Sequence, residues 1–155
     1  MPRLTVPVSL RWADLDPNGH VNNVAYLTIL EDVRIRALHP ILGTLADERG
    51  VLRRAGQAPV VVARHEIEYL RQLTWHPTPI RVDLWVSRLG GSSVEVCHVI
   101  RSPAGEQEVQ YARIVTVLVY LDAESQTPRR LTEAEREAFA PIMDQPLEMR
   151  RPVTA

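Results

Sequence analysis

The sequence contains no lysine, and this absence limits the chemistry that the chain can perform. All 18 of its basic residues are arginine. Schiff-base catalysis and a P-loop phosphate site both need a lysine amine, so both are excluded. Cysteine is almost as scarce, because Cys97 is the only one. A lone cysteine excludes an intramolecular disulfide framework and a cysteine-rich zinc site.

An excess of one charge and long apolar runs are also missing. The formal net charge of the 155 residues is −1, which gives neither a basic footprint for nucleic acid nor a polybasic signal for a membrane surface. No apolar run is long enough to span a bilayer, and no signal-peptide pattern opens the chain. We therefore expect a cytoplasmic protein without nucleic-acid or membrane partners.

The remaining composition is typical of one globular domain. Hydrophobic residues make up 45% of the chain and charged residues 24%, so a chain of this length can bury a core. We expect a single domain over residues 1–145 and a flexible tail over residues 146–155.

The hydrophobic pattern of the first third predicts a strand followed by a long helix. Residues 4–12 are rich in strand-forming side chains, and Pro7 indicates an edge strand or an early bend. Apolar residues then recur at helical spacing over residues 24–38. Either Asn22 or Asn23 can cap this helix, because a short carboxamide accepts a hydrogen bond from a free N–H of the first turn.

The rest of the chain predicts an antiparallel sheet. His39-Pro40 restricts the end of the helix, and residues 43–57 are polar and irregular. Four strands and a short helix with a capping box follow, at residues 59–70, 80–87, 94–100, 109–121 and 132–142. We expect an α+β fold in which the four strands form an antiparallel meander around one long central helix.

The densest cluster of polar residues lies where the first strand meets the helix. Residues 14–23 hold two carboxylates, three carboxamides and an imidazole, at Asp14, Asp16, Asn18, His20, Asn22 and Asn23. The N–H groups of a first helical turn lack partners inside the helix and carry partial positive charge. A carboxylate beside such donors provides a base or nucleophile next to an oxyanion site, which suits attack on a carbonyl group.

Two other readings of this loop can be weighed from its spacing. Its alternating acidic and amide residues imitate an EF-hand calcium loop, but Ala25 stands where the bidentate glutamate is required, and a strand precedes the loop instead of a helix. A plain turn with a helix cap would explain Asn22 but has no use for Asp16 or His20. We therefore expect no metal here.

The segment RWADLDPNGHVNNVAYL, residues 11–27, resembles the signature of hotdog-fold acyl thioesterases. It is similar to the bacterial 4-hydroxybenzoyl-CoA thioesterase-like group and to the catalytic repeat of plant acyl-ACP thioesterases. The resemblance implies a hotdog fold and assigns Asp16 as the catalytic carboxylate. Asn18 and His20 match positions that are also catalytic in the plant group, although bacterial relatives often lack one or both. Asn23 matches an active-site histidine of some bacterial members.

The resemblance also implies the reaction and its partners. We expect hydrolysis of an acyl-CoA thioester (EC 3.1.2 class) without a cofactor, with acyl-ACP as a second possible substrate and a homodimer or dimer of dimers as the assembly. The N–H groups near Val24 and Ala25 would receive the carbonyl oxygen. Asp16 would act either as a general base or as a nucleophile. The alternative function is a non-catalytic hotdog module that binds an acyl thioester.

Three further residues are weaker candidates for contact with the substrate. Tyr26 follows the helix start and fits the apolar stripe of the helix as well as a binding role. Arg88 and Arg71 are candidates to hold the CoA phosphates, because the guanidinium group matches phosphate with two parallel donors. Asp14 is expected to be structural.

Overall fold

The computed structural model describes residues 3–42, 44–46, 52–54 and 59–150. Its strands are β1 (Leu4–Val8), β2 (Thr44–Ala46), β3 (Leu52–Arg54), β4 (Val60–Tyr69), β5 (Ile80–Leu89), β6 (Ser93–Arg101) and β7 (Gln110–Tyr120). Its helices are α1 (Asn23–Leu42) and α2 (Glu133–Phe139), and short 3₁₀ turns lie at Trp12–Asp14 and Ala140–Ile142. The class is α+β, as predicted.

Five strands form one antiparallel sheet in the order β1-β5-β6-β7-β4. The predicted four-strand meander is therefore wrong at β4, which pairs with β7 instead of β5. Within this sheet, β5, β6 and β7 are joined by consecutive hairpins, at Gly90-Gly91 and near Gly105. The segment between β4 and β5, residues 70–79, must cross the molecule to reach the opposite side of the sheet, and this crossing later builds one wall of the site.

The long helix α1 packs on one face of this sheet. Asn22 caps it, because the Asn22 Oδ1 accepts a hydrogen bond from the Val24 N–H at 3.0 Å. The predicted end at His39-Pro40 is wrong, since the helix continues through Pro40 to Leu42. Ile41 continues the apolar stripe and packs against the core, which favours one further turn despite the proline. The arrangement is consistent with a hotdog fold.

The main core lies between α1 and the inner face of the sheet. Leu30 and Val33 of the helix are fully buried there, against alternate residues of β5 and β6 such as Leu84 and Val96. Pro7 sits in β1, which is an edge strand of the sheet as predicted. The helix lies nearest to β1 and β5, at the edge of the sheet opposite to β4.

A second, smaller core lies on the outer face of the sheet. Trp85, Cys97, Val99 and Val115 are buried there, and Leu147 and Met149 pack against them. The covering segment, residues 144–150, is here called the C-terminal strap. The Trp85 Nε1 donates a hydrogen bond to the Gln145 carbonyl oxygen at 2.8 Å. Residues 146–150, which the sequence assigned to a flexible tail, thus lie against the sheet. Residues 151–155 lie outside the described residues. The single-domain boundary at residue 145 stays a prediction.

The remaining local predictions have mixed outcomes. The described parts of the region expected to be irregular, residues 43–57, form the paired strands β2 and β3, and the other residues of that region lie outside the description. The capping box is confirmed, because the Thr132 Oγ1 accepts from the Glu135 N–H and the Glu135 carboxylate accepts from the Thr132 N–H. Among the described residues, no helix is long and apolar enough to cross a membrane.

Candidate active site

The polar loop between β1 and α1 is folded by its own backbone. The Asp16 N–H donates to the His20 carbonyl oxygen at 2.7 Å, and the Gly19 N–H donates back to the Asp16 carbonyl oxygen at 3.0 Å. Gly19 adopts a φ of +78°, a left-handed conformation that costs a residue with a Cβ atom about 1–2 kcal/mol. The Val21 N–H then bonds to the Leu73 carbonyl oxygen at 2.7 Å, which joins the loop to the crossing segment.

Asp14 is a structural residue of this loop. Its carboxylate is almost fully buried and accepts hydrogen bonds from the Arg11 N–H at 2.7 Å and from the Arg11 guanidinium at 2.9 Å. The hydrogen bond and charge of Asp14 raise the pKa of Arg11. Because both carboxylate oxygens are bound to Arg11, Asp14 stabilises the turn.

Asp16 presents a different arrangement. Its Oδ1 accepts hydrogen bonds from the Asn18 N–H at 2.8 Å and from the His20 N–H at 3.1 Å. These two bonds fix the rotamer of the side chain from one oxygen. The Asp16 side chain is only partly buried and borders a pocket, so the Oδ2 is the oxygen available for chemistry.

The pocket has a volume of about 350 Å³ and two walls. The polar loop and the start of α1 provide the first wall through Asp16, His20, Val21, Asn23 and Tyr26. The end of β4 and the crossing segment provide the second wall through Tyr69, Leu70, Arg71, Gln72 and Leu73. The pairing of His20 with Thr74 holds the two walls together.

Two tyrosines contact each other inside this pocket. The rings of Tyr26 and Tyr69 meet edge to face with centroids 5.0 Å apart, and the Tyr69 hydroxyl donates to the Asn23 carbonyl oxygen at 3.3 Å. Burial, followed by the fields of Tyr69 and Tyr111, raises the pKa of Tyr26 to about 12. The Tyr26 hydroxyl therefore stays protonated at neutral pH and can donate a hydrogen bond.

The N–H groups at the start of α1 are not equivalent. The Val24 N–H donates to the Asn22 Oδ1, and the Ala25 N–H donates to the Asn22 carbonyl oxygen at 2.9 Å. Both groups predicted to receive the substrate carbonyl thus have acceptors already. Asn23 is the first helical residue, so its N–H has no acceptor within the helix, and Asn23 lines the pocket.

The structure therefore brings some of the predicted site residues together and places the others elsewhere. Asp16, His20, Asn23 and Tyr26 come together at one pocket, whereas Asn18 is exposed and contacts Asp16 through its backbone N–H. Val24 and Ala25 are not among the residues that line the pocket. They lie on the helix start beside it.

The two arginine candidates lie in different places. Arg71 borders the pocket and also a neighbouring groove that contains Arg113 and Arg150. Arg88 lines a separate groove, formed with Arg64 near the β5–β6 hairpin.

The second wall was not predicted from the sequence. Residues 69–73 carry no motif, and their approach to the loop depends on the displaced position of β4 in the sheet. Over the described ranges, no three histidine, cysteine or acidic side chains are grouped so that they could hold a metal ion.

The fold and this pocket define a class, an α+β protein with a carboxylate held at the start of its long helix. The chain belongs to the thioesterase-like superfamily, whose family model matches residues 10–149. The match covers the polar loop, both walls of the pocket and the C-terminal strap up to Met149.

Individual proteins and solved structures are similar to this chain over most of its length. The uncharacterized protein YsmA of Bacillus subtilis is 28% identical over 132 residues, which cover 85% of this chain and 82% of that protein. A thioesterase of Thermus thermophilus, crystallised with coenzyme A and zinc, is 34% identical with a TM-score of 0.71, covering 94% of this chain and 97% of the other. The PA5185 protein of Pseudomonas aeruginosa is 28% identical with a TM-score of 0.74, covering 90% and 91%.

Proposed function

We propose that this protein is an acyl-CoA thioesterase that hydrolyses an acyl thioester to a free acid and CoA. The observation that carries the proposal is the position of Asp16, whose carboxylate is oriented by two N–H groups at the edge of a pocket beside the helix start. The superfamily membership supports thioester hydrolysis as the reaction. The relative crystallised with coenzyme A supports CoA as the thiol, with acyl-ACP as the second possibility.

The chemistry needs a polarised carbonyl and an aimed oxygen nucleophile. The carbonyl oxygen would lie at the start of α1, where the Asn23 N–H and the positive end of the helix dipole stabilise the developing oxyanion. Asp16 Oδ2 would accept a proton from a water whose oxygen attacks the carbonyl carbon. The C–S bond then breaks, and the proton passes to the departing thiolate of CoA.

A covalent route is the alternative for the same carboxylate. Asp16 Oδ2 would attack the carbonyl carbon directly and displace the CoA thiolate, which leaves an anhydride for water to hydrolyse. Single turnover in ¹⁸O-labelled water tests the covalent route. Label found in the Asp16 carboxylate supports an anhydride that water opens at Asp16, and label found only in the acid product shows that water attacks the acyl carbon.

The neighbouring residues would have supporting roles. His20 lines the pocket and could relay the proton to the leaving thiolate, while Asn18 holds the Asp16 carboxylate through its backbone. Arg71 is a better candidate than Arg88 for the CoA phosphates, because it borders both the pocket and the arginine-containing groove next to it. The Tyr26 and Tyr69 rings would contact the acyl group.

Substitution of Asp16 by asparagine tests the assignment. The asparagine Oδ1 can still accept both loop N–H bonds, so the loop should keep its shape while the proton acceptor is lost. We expect kcat/KM for acyl-CoA to fall by about 10²–10⁴-fold. The matched control is Asp32→Asn on the exposed side of α1, which should retain full activity.

The same assay distinguishes an enzyme from a binding module. Measured turnover by the wild-type protein that Asp16→Asn removes supports the hydrolase. Binding of acyl-CoA by both proteins without turnover by either would instead support the non-catalytic module. A panel of aliphatic and aromatic acyl-CoAs would identify the preferred acyl group at the same time.

A further inference from the structure

A fully buried histidine lies under α1, and no residue in the described part of the chain meets its ring nitrogens in regular hydrogen-bonding geometry. His98 is in β6, between Leu84 of β5 and Ile114 of β7 in the sheet register, and its side chain points to the inner face. Neither His98 Nδ1 nor His98 Nε2 has a partner in hydrogen-bonding geometry within the described structure. Buried polar groups are nearly always paired, so two unpaired nitrogens on one ring need an explanation.

A half-buried arginine lies over the same region. Arg34 of α1 makes no hydrogen bond or ion pair with any residue in the described parts of the chain, although Glu31 is close enough for its field to act on Arg34. Burial lowers the pKa of Arg34, and burial followed by the field of Arg34 lowers the pKa of His98 to about 3. His98 is thus neutral, with one N–H donor and one acceptor nitrogen.

His65 completes this polar cluster. It lies on the exposed edge strand β4, and its Nδ1 is 2.9 Å from the buried Thr116 hydroxyl. The field of Arg34 acts on both histidines, and the strand register places His65 and His98 on the same face of the sheet, on either side of β7. Arg34, His65 and His98 are here called the inner polar cluster.

The inner polar cluster and the candidate active site lie along the same two elements. The inner face of β4 is poorly covered, because His65 and Tyr69 of this strand are exposed, as is Leu27 of α1, and this surface is here called the groove. Tyr26 and Tyr69 meet at the active-site end of this groove. From Tyr26 to Arg34 the helix rises about 12 Å, and from Tyr69 to His65 the strand advances about 13 Å.

We propose that the inner polar cluster is the distal end of the acyl-binding groove and binds an oxygen function, a hydroxyl or a carboxylate, at the far end of the acyl group. This inference rests on the proposed thioesterase function. Arg34 and His98 supply donors that have no acceptor among the described residues, and an oxygen atom of the substrate would provide one. An extended chain advances about 1.2 Å per bond, so about ten bonds span the groove.

The test compares CoA thioesters of one chain length that differ only at the far end. Decanoyl-CoA, 10-hydroxydecanoyl-CoA and decanedioyl-CoA would be assayed with the wild-type protein. We expect kcat/KM to be at least about 10-fold higher for one of the oxygenated substrates, consistent with a buried polar site rejecting an analogue that leaves it unpaired. Comparison of 10-hydroxydecanoyl-CoA with decanedioyl-CoA identifies whether a hydroxyl or a carboxylate group is recognised. Equal or better hydrolysis of decanoyl-CoA overturns the proposal.

Two variants locate the preference. Arg34→Met keeps the length of the side chain and His98→Phe keeps a planar ring, and each should bring the ratio of kcat/KM values close to one by removing the advantage of the oxygenated substrate. Arg36→Met is the control on the same helix, because Arg36 is engaged by Asp32 and by the Pro7 carbonyl oxygen. If His98→Phe does not fold, the substrate preference of Arg34→Met compared with that of the wild type tests the proposal by itself. A preference that survives in Arg34→Met contradicts the proposal.

Direct binding keeps this test independent of the proposed function. Free decanoate, 10-hydroxydecanoate and decanedioate would be titrated into the wild-type and Arg34→Met proteins and followed by thermal stabilisation. Selective binding of an oxygenated acid that Arg34→Met abolishes supports the inner polar cluster even if no thioester is hydrolysed. Hydrolysis of thioesters without any selectivity among the three acids supports the enzyme and rejects the cluster.

Discussion

Asp14 and Asp16 are two residues apart, yet the fold places their side chains in different environments. The side chain of Asp14 turns inward and is held by the backbone and guanidinium of Arg11. The side chain of Asp16 turns towards the pocket and is held from one oxygen only. The difference arises because the chain reverses at Gly19, so that only the second carboxylate faces α1 and the crossing segment.

The buried histidine gives a pH dependence of stability at the scale of one residue. Folding lowers the pKa of His98 from 6.5 to about 3, mainly through burial. Between these values the unfolded chain binds a proton that the folded chain does not, so the free energy of unfolding decreases as the pH falls below 6.5. Urea unfolding between about pH 6.5 and 5 should lose up to about 1.4 kcal/mol per pH unit from this group.

The variant His98→Phe provides the comparison. It should show a shallower decrease over the same interval, because the titrating ring is absent. The part of the decrease that remains would include His65, whose pKa burial also lowers. Identical slopes for the two proteins would show that His98 is not the group responsible.

At the scale of one element, the C-terminal strap is expected to shield the outer core. Cys97 is the single thiol of the chain, it is fully buried, and burial raises its pKa. Truncation after Met143 removes Leu147 and Met149 and should make Cys97 react with a thiol reagent at least 10-fold faster, since thiolate formation and access both increase. Removal of residues 151–155 alone is the control and should leave the rate unchanged.

The elements also show how far sequence reasoning could go. The capping box at Thr132 and the edge position of Pro7 were predictable, because each depends on neighbouring residues or on one missing N–H. The position of β4 in the sheet was not predictable, because its hydrophobic pattern is compatible with pairing to β5 or to β7. The helix end at Pro40 was misplaced because packing of Ile41 outweighed a local restriction.

The candidate site was also predictable only where its residues are close in sequence. The loop motif identified Asp16, His20, Asn23 and Tyr26, which share one pocket, since these residues are close in sequence. The wall at residues 69–73 could not be found, because it approaches the loop only through long-range pairing. The motif also could not reveal that Asn22 already occupies the Val24 and Ala25 N–H groups.

At the scale of the whole molecule, we predict that two copies associate through β4. This strand ends the sheet and exposes Val61 and Val62, and the adjacent face of α1 exposes Val24, Leu27 and Ile35. An exposed apolar edge strand is prone to pair with another chain. Light scattering after gel filtration should give the mass of a dimer or a dimer of dimers.

A substitution on this edge tests the assembly. Val62→Arg should shift the protein towards the monomer by placing a charge in the apolar contact, whereas Glu124→Arg in an exposed loop should not. A wild-type protein that elutes only as a monomer, or an unchanged mass for Val62→Arg, would contradict the predicted interface.

The displaced strand β4 also has a consequence for how the molecule acquires its activity after synthesis. The pairing of β4 with β7 joins residues about 50 positions apart, for example His65 and Thr116, and such distant pairings form slowly because a long loop must close first. The hairpins β5–β6 and β6–β7 are local and can form without it. The crossing segment depends on β4 for its position, so the chain should regain most of its sheet before it regains a pocket able to hold a ligand.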